Sequence, residues 1–332
     1  MASVAVIPSP LGKRSVMLWT ADGKSKQLAM EQRSLDNSNY TAYVDRGAAV
    51  GAVRATTGLA SVIHDHAVTV YGITDYVKNG KSGSTISTLS PIYNPVDPDN
   101  ARADPGPSYN AVAAAGGSSD YDYIYFLKDP TGLSQQPLIV EYTFNLANPG
   151  TRYVYSDFTA DPSSALAACL DPYTGNRMVL FQNYQKPFIY FGWSDTQSKQ
   201  YIVGSNNALK ATPLAATLLA YPDKTIEIYM YYVDNNYSLS RASYSGKGSQ
   251  GQWGKVEPVP GVNSIDAAAG LGVISDTSQG VNHVFYKSSQ NSNKDGYIDF
   301  QDPFKQALVP SAEGITTEAT EVIEAIEAIE AS

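Results

Sequence analysis

The stretch IEIYMYYVDNNYSLSRASYSGKGSQGQWGKVEPVPGVNSIDAAAGLGV, residues 226–273, decides the fold. It opens on IEIYMYYV (226–233), a run of β-branched and aromatic residues of strand length. A turn at Asp234-Asn235-Asn236 leads into YSLSRASY (237–244), which is a hairpin signal. After Gln252-Trp253-Gly254 comes a small-residue run, DAAAGLGV (266–273). A small-residue strand, an aromatic strand and a third strand make one blade of a propeller.

Working outward, the same order recurs along the chain. Ala/Gly-rich runs stand at SVAVIP (3–8), AAVGAV (48–53), AVAAAGG (111–117), SALAACL (164–170), PLAATLLA (213–220) and DAAAGLGV (266–273). Aromatic segments follow them at SVMLWT (15–20), AVTVYGI (67–73), YDYIYFL (121–127), RMVLFQ (177–182), IEIYMYYV (226–233) and VNHVFYK (281–287). Another hairpin signal stands at Asp22-Gly23 before KSKQLAM. Six units predict an all-β, six-bladed β-propeller over residues 1–309, with the small residues on inner strands that converge on the axis. The alternative is two β-sandwiches with accidental periodicity, and a sixfold ordered recurrence weighs against it.

Two segments stand outside the repeat. PIYNPVDPDNARADPGPSYN (91–110) is rich in Pro and Asp and predicts a long surface loop able to act as a lid. Residues 310–332, ending in an Ile-Glu-Ala repeat, predict an acidic, disordered or helical tail.

Composition agrees with short strands and turns: 24 Tyr, 26 Gly and 19 Pro in 332 residues. The net charge of -9 argues against nucleic acid and anionic membrane as partners, since phosphates must be met by clustered Lys and Arg. The chain has no stretch of the roughly 20 apolar residues that a membrane helix needs. Pro8 and Pro10 interrupt any leader-like run near the start, so the expected location is the cytoplasm. The single Cys169 lies in an apolar run and reads as a small buried hydrophobe.

The 226–273 unit, with its aromatic strand, turn, third strand, Trp253 element and following small-residue run, resembles a blade of the fungal fucose-binding lectins, which are six-bladed propellers. Weaker versions recur through residues 3–308. The resemblance implies sugar sites built from an Arg on the second strand, a Glu or Gln on the third and aromatics of the adjoining blade. Aligned by hand, the Arg position falls on Val16, Thr69, Tyr123, Met178, Tyr229 and His283, with Arg177 one residue off. The acceptor position falls on Gln27, Thr88, Glu141, Tyr190, Arg241 and Asp299, so no blade keeps both halves. Similar lectin-like propellers include the hetero-Diels-Alderases of tropolone sesquiterpenoid pathways, which implies a cofactor-free dehydration and cyclisation of terpenoid-like substrates.

The residues themselves show no glycine-rich phosphate loop, no Cys/His metal spacing and no Gly-x-Ser-x-Gly elbow, so neither a metal nor a cofactor is expected. Histidines carry the proton chemistry. His283 and Asp299 should face each other across one blade and could protonate a leaving hydroxyl, or form a plain cross-strand contact. His64-Asp65-His66 should follow a hub strand bearing Arg54, on a loop at one mouth. Tyr71, Tyr123, Tyr190, Tyr229, Glu141, Trp193 and Trp253 are the candidate substrate-contacting residues.

Two functions follow as expectations: a cofactor-independent hetero-Diels-Alderase or dehydratase acting on a small hydrophobic substrate, or a glycan-binding lectin of altered specificity. A third is a non-catalytic interaction platform.

Overall fold

The computed structural model describes residues 4–10, 14–22, 26–36, 40–45, 51–64, 67–78, 80–97, 103–106, 108–116, 121–130, 136–145, 148–184, 187–291 and 296–305. They form six antiparallel sheets, each built from consecutive stretches of chain. The first strands are Val4–Pro8, Leu59–His64, Val112–Ala115, Leu166–Leu170, Leu214–Ala220 and Gly272–Asp276. These six neighbour one another in ring order, the last touching the first, and so form the hub of a closed six-bladed propeller. Outside them lie the second strands, Ser15–Asp22, Ala67–Lys78, Asp122–Lys128, Arg177–Gln182, Ile226–Val233 and Val281–Tyr286, and then the third. Blades 1 to 5 add a fourth, outer strand, which in blade 5 contains Trp253.

Every second strand coincides with a predicted aromatic segment, and packing explains why these read so clearly. Six buried clusters lie among the described residues, each between two successive blades. A second strand therefore buries both faces: Met178 and Leu180 face blade 5, whereas Val179 and Phe181 face blade 3. Strands buried on both sides read as continuous apolar runs, as IEIYMYYV does. Cys169 packs between blades 4 and 5, where burial pushes its thiol up to about 12.

Register gives the hub its small residues. Ala5, Ala60, Ala113, Ala167, Ala215 and Gly272 lie opposite Trp19, Tyr71, Tyr125, Leu180, Tyr231 and Phe285, so a small hub side chain sits beside a large second-strand one. Gly272 closes the ring, because a Cβ there would stand 2.2 Å from a Val6 methyl of blade 1.

Three expectations change. The hub strand of blade 2 is Leu59–His64 and not AAVGAV; residues 46–50 of that neighbourhood lie outside the described residues, and Val53 makes an isolated bridge to Thr74. In blade 6 the hub strand begins at Gly272, and the alanines of DAAAGLGV form the approach to it. The third change concerns 91–110, which is no free lid where it is described. Asn94–Pro95 forms the outer strand of blade 2, and Val96, Ala103 and Tyr109 are buried. Residues 98–102 and 107, and the tail from 306, lie outside the described residues.

The approach to a hub strand carries a repeat that composition hides. Among the described residues a turn closes before it in four blades, through Thr57 N–H to Arg54 O, Ser164 to Asp161, Thr212 to Leu209 and Ala269 to Asp266. In three of them the hydroxyl of Thr57, Ser164 or Thr212 accepts a backbone N–H from the neighbouring second strand, at Ile73, Gln182 or Val233.

Candidate functional site

Two positions on each second strand govern the clefts between blades. The residue opposite the small hub residue faces the next blade, and the residue three before it faces the previous one. These two meet. Where the first is Tyr71, Tyr125 or Tyr231, the second, one blade on, is the polar Asp122, Arg177 or Asn282. Where the first is Trp19, Leu180 or Phe285, the second is Val68, Ile228 or Val16. A buried phenol needs a partner for its hydroxyl, so the polar second-strand residues fall across the clefts that hold the tyrosines. Tyr71 donates to Asp122 at 2.6 Å, and Tyr231 donates to Asp302 at 2.6 Å while accepting from Asn282 at 2.9 Å.

The cleft between blades 3 and 4 is the richest. Glu141, on the third strand opposite Tyr125, is 3% exposed. It accepts from Tyr125 at 2.6 Å, from Tyr155 at 2.8 Å and from Arg177 of blade 4, whose Nη2 is 2.7 Å and Nε 3.4 Å away. That is a side-on fork. Arg177 also lies 4.2 Å over the Tyr123 ring, a cation–π contact. Burial works against its charge, but the Glu141 hydrogen bond and charge outweigh burial and raise its pKa above the ordinary value. Burial, reinforced by Glu141, pushes the Tyr125 and Tyr155 hydroxyls up, so both stay protonated donors. The guanidinium side chain remains 22% exposed, and Tyr153, packed edge-on against Tyr155 at 4.8 Å, is 40% exposed at the rim. A carboxylate so fully engaged positions the guanidinium. What faces outward is the guanidinium edge and two phenol rings, which suits a ligand with hydroxyls on one side and C–H on the other.

A second charged cleft lies between blades 5 and 6. Arg241 meets Asp302 at 2.6 Å, Lys305 meets Glu257 at 3.1 Å, and Tyr229 stacks on Phe304 at 5.7 Å. Tyr229 is fully buried, its hydroxyl donating to Glu227.

His283 and Asp299 do come together: Nδ1 stands 2.9 Å from the carboxylate. The contact is diagonal, since His283 pairs with Gln301 and Asp299 with Phe285. His283 is fully buried and stacked on Phe285, and its Nε2 faces Asp276 Oδ2 at 3.8 Å. Burial works against the Asp276 charge, but hydrogen bonds from Ser278 and the charge of Arg14 hold its carboxyl below the usual value of 3.8.

Arg54 is not on a hub strand. It precedes that of blade 2 and ties Asp75, Ser84 and the Tyr109 carbonyl together. His64 ends the hub strand, paired with Ala67, while Asp65 and His66 lie outside the described residues. Tyr71 is interior, Trp193 is buried against Tyr244 at 5.7 Å, and Trp253 packs on Phe191 and Tyr244. Tyr190 is half-buried, stacked on Phe181 and beside Tyr201. Register corrects three hand-aligned positions: the equivalents of Val16, Gln27 and Tyr190 are Met17, Met30 and Phe191. Of the candidates, Tyr123 and Glu141 share one cleft. Arg177, Tyr153 and Tyr155 join them without standing among the sequence candidates, although Arg177 is one residue from the aligned Arg position and RYVYSDF (152–158) alternates visibly.

No protein-family model matches the chain. Two curated proteins named wall-associated proteinase, from Coccidioides posadasii and Coccidioides immitis, are each 32% identical over 247 residues, 73% of this chain and 77% of theirs. The fucose-specific lectin from Aleuria aurantia superposes with a TM-score of 0.62 at 16% identity, covering 93% of this chain and 97% of that one. AofleA from Arthrobotrys oligospora gives 0.60 at 12% identity, covering 87% and 80%. At these identities the likeness is one of fold.

Proposed function

The chain belongs to the family of the Coccidioides protein named wall-associated proteinase, and from that premise and the propeller fold we propose that it is a glycan-binding protein associated with the fungal wall. One observation carries the reading: the Arg177–Glu141 fork over Tyr123, with Tyr153 at the rim. It supplies the guanidinium and aromatic faces that sugar recognition uses, with the buried Glu141 carboxylate fixing the guanidinium across two blades. An Arg fixed by a buried carboxylate loses little freedom on binding, so its remaining N–H groups can grip vicinal hydroxyls.

Less supports dehydration and cyclisation. His283, the acid proposed for it, is fully buried with Nδ1 on Asp299, and Tyr71 and Tyr229 are interior packing. Peptide hydrolysis, which the relatives' name carries, finds no support in Cys169, whose thiol burial has pushed up to about 12.

A fucosylated glycan array followed by titration tests the reading. Saturable, sugar-competed binding is expected, weakened about tenfold or more by Arg177→Ala. Tyr153→Ala should weaken it about threefold to tenfold with unfolding unchanged. Silence across the array with folded protein would sink the proposal. Wall association is tested by cell fractionation: recovery in the cytoplasm alone overturns it.

A further inference from the structure

The hub has its own cavity, of about 470 Å³, at the end where all six inner strands begin. Its walls come from every blade. The residue just before the small hub residue is Val4, Leu59, Val112, Leu166, Leu214 and Leu271 in turn, and all six line the cavity. Each is also buried, 4–6% exposed, in the cluster toward the preceding blade, so this aliphatic ring is fixed by the core beneath it. Above the ring stands a rim made by the approach turns, with Thr56, Ser163, Lys210 and Ala268, joined by Asn110. Those turns are rigid: each is closed by its own backbone hydrogen bond, and Asp161 and Asp266 accept a further N–H from Ser163 and Ala268.

Charge selects among small ligands. Lys210 is the one ionisable residue among the described residues lining the cavity, in a chain whose net charge is -9. Lys210 is exposed at the mouth, and an aliphatic ring with a single cation at its mouth is complementary to an apolar body with one anionic group, in a volume within the roughly 300–1,000 Å³ of small-molecule sites. From this we infer that the hub is a binding site for a small aliphatic carboxylate, its carboxylate at Lys210 and its hydrocarbon against the ring. The site is separate from the glycan cleft: Arg177 pairs with Leu170, at the other end of its hub strand from Leu166.

Octanoate is the probe, titrated calorimetrically into the whole protein, with octylamine as the charge-reversed control. Saturable binding of octanoate is expected, with octylamine at least about tenfold weaker. Lys210→Glu should weaken octanoate by about tenfold or more, and Ala268→Trp, at an exposed rim position, should block it. Both variants should bind glycan as the parent does, so the two readings fail separately. No saturable octanoate binding, equal binding of octylamine, or octanoate binding that survives both substitutions overturns the inference.

Discussion

Glu141 and Asp299 hold the same place in two blades, on the third strand opposite the large residue that pairs with the small hub residue. In blade 3 that residue is Tyr125, and the carboxylate is buried under two phenols and the Arg177 of the next blade. In blade 6 it is Phe285, and the carboxylate, with its side chain 27% exposed, turns to His283 of its own blade. The difference follows from what the neighbouring blade offers: Arg177 across one cleft, Val16 across the other. A propeller repeats its backbone while each cleft is written by two blades at once, so a site appears only where both contribute polar groups.

Glu141→Ala should separate the two places most sharply. It leaves a part-buried guanidinium and two buried hydroxyls without their acceptor, and removing one partner of a buried pair costs about 3–5 kcal/mol. Asp299→Ala exposes His283 to water at the rim and should cost about 1 kcal/mol. Denaturant unfolding of both variants decides it; equal losses would break the comparison.

The next effect tests the pairing of the two second-strand positions. Phe285→Tyr places a hydroxyl against Val16, in an apolar cleft, and an unsatisfied buried donor costs about 1–3 kcal/mol. Adding Val16→Asn should recover part of that loss, as Asn282 does for Tyr231. A double variant no more stable than Phe285→Tyr alone would refute the rule.

Much of the fold was legible because the second strands are buried on both faces, which leaves unbroken aromatic runs such as YDYIYFL. Hub strands were legible in blades 1, 3, 4 and 5, where the small-residue run is the strand itself. LASVIH carries one Ala, and the alanine-rich AAVGAV before it draws the small-residue reading away from the strand, since composition alone does not set where a hub strand begins. The site was half legible. Glu141 and Tyr123 lie on strands whose register could be aligned within one blade, but Arg177 reaches Glu141 from the next, 36 residues on. Such a contact depends on how blades pack face to face, which no pattern within a single unit records.

The smallest effect lies on the acid side of blade 6. Asp276 is held below its usual value of 3.8, so its folded-state pKa is depressed. A depressed carboxylate contributes stability that is fully present above the unfolded value and is lost as pH falls through the folded one. Acidification from neutral pH should leave its contribution intact until about 3.8 and remove it below. Asp276→Asn takes away the titrating group while keeping a side chain that can meet Ser278 and Arg14. Its unfolding free energy should therefore change less between pH 4 and pH 2 than that of the parent. A steeper acid loss in the variant would mean that burial outweighs the contacts with Arg14 and Ser278 and raises the folded pKa of Asp276, so that the cleft beside His283 desolvates this carboxylate more than it stabilises its charge.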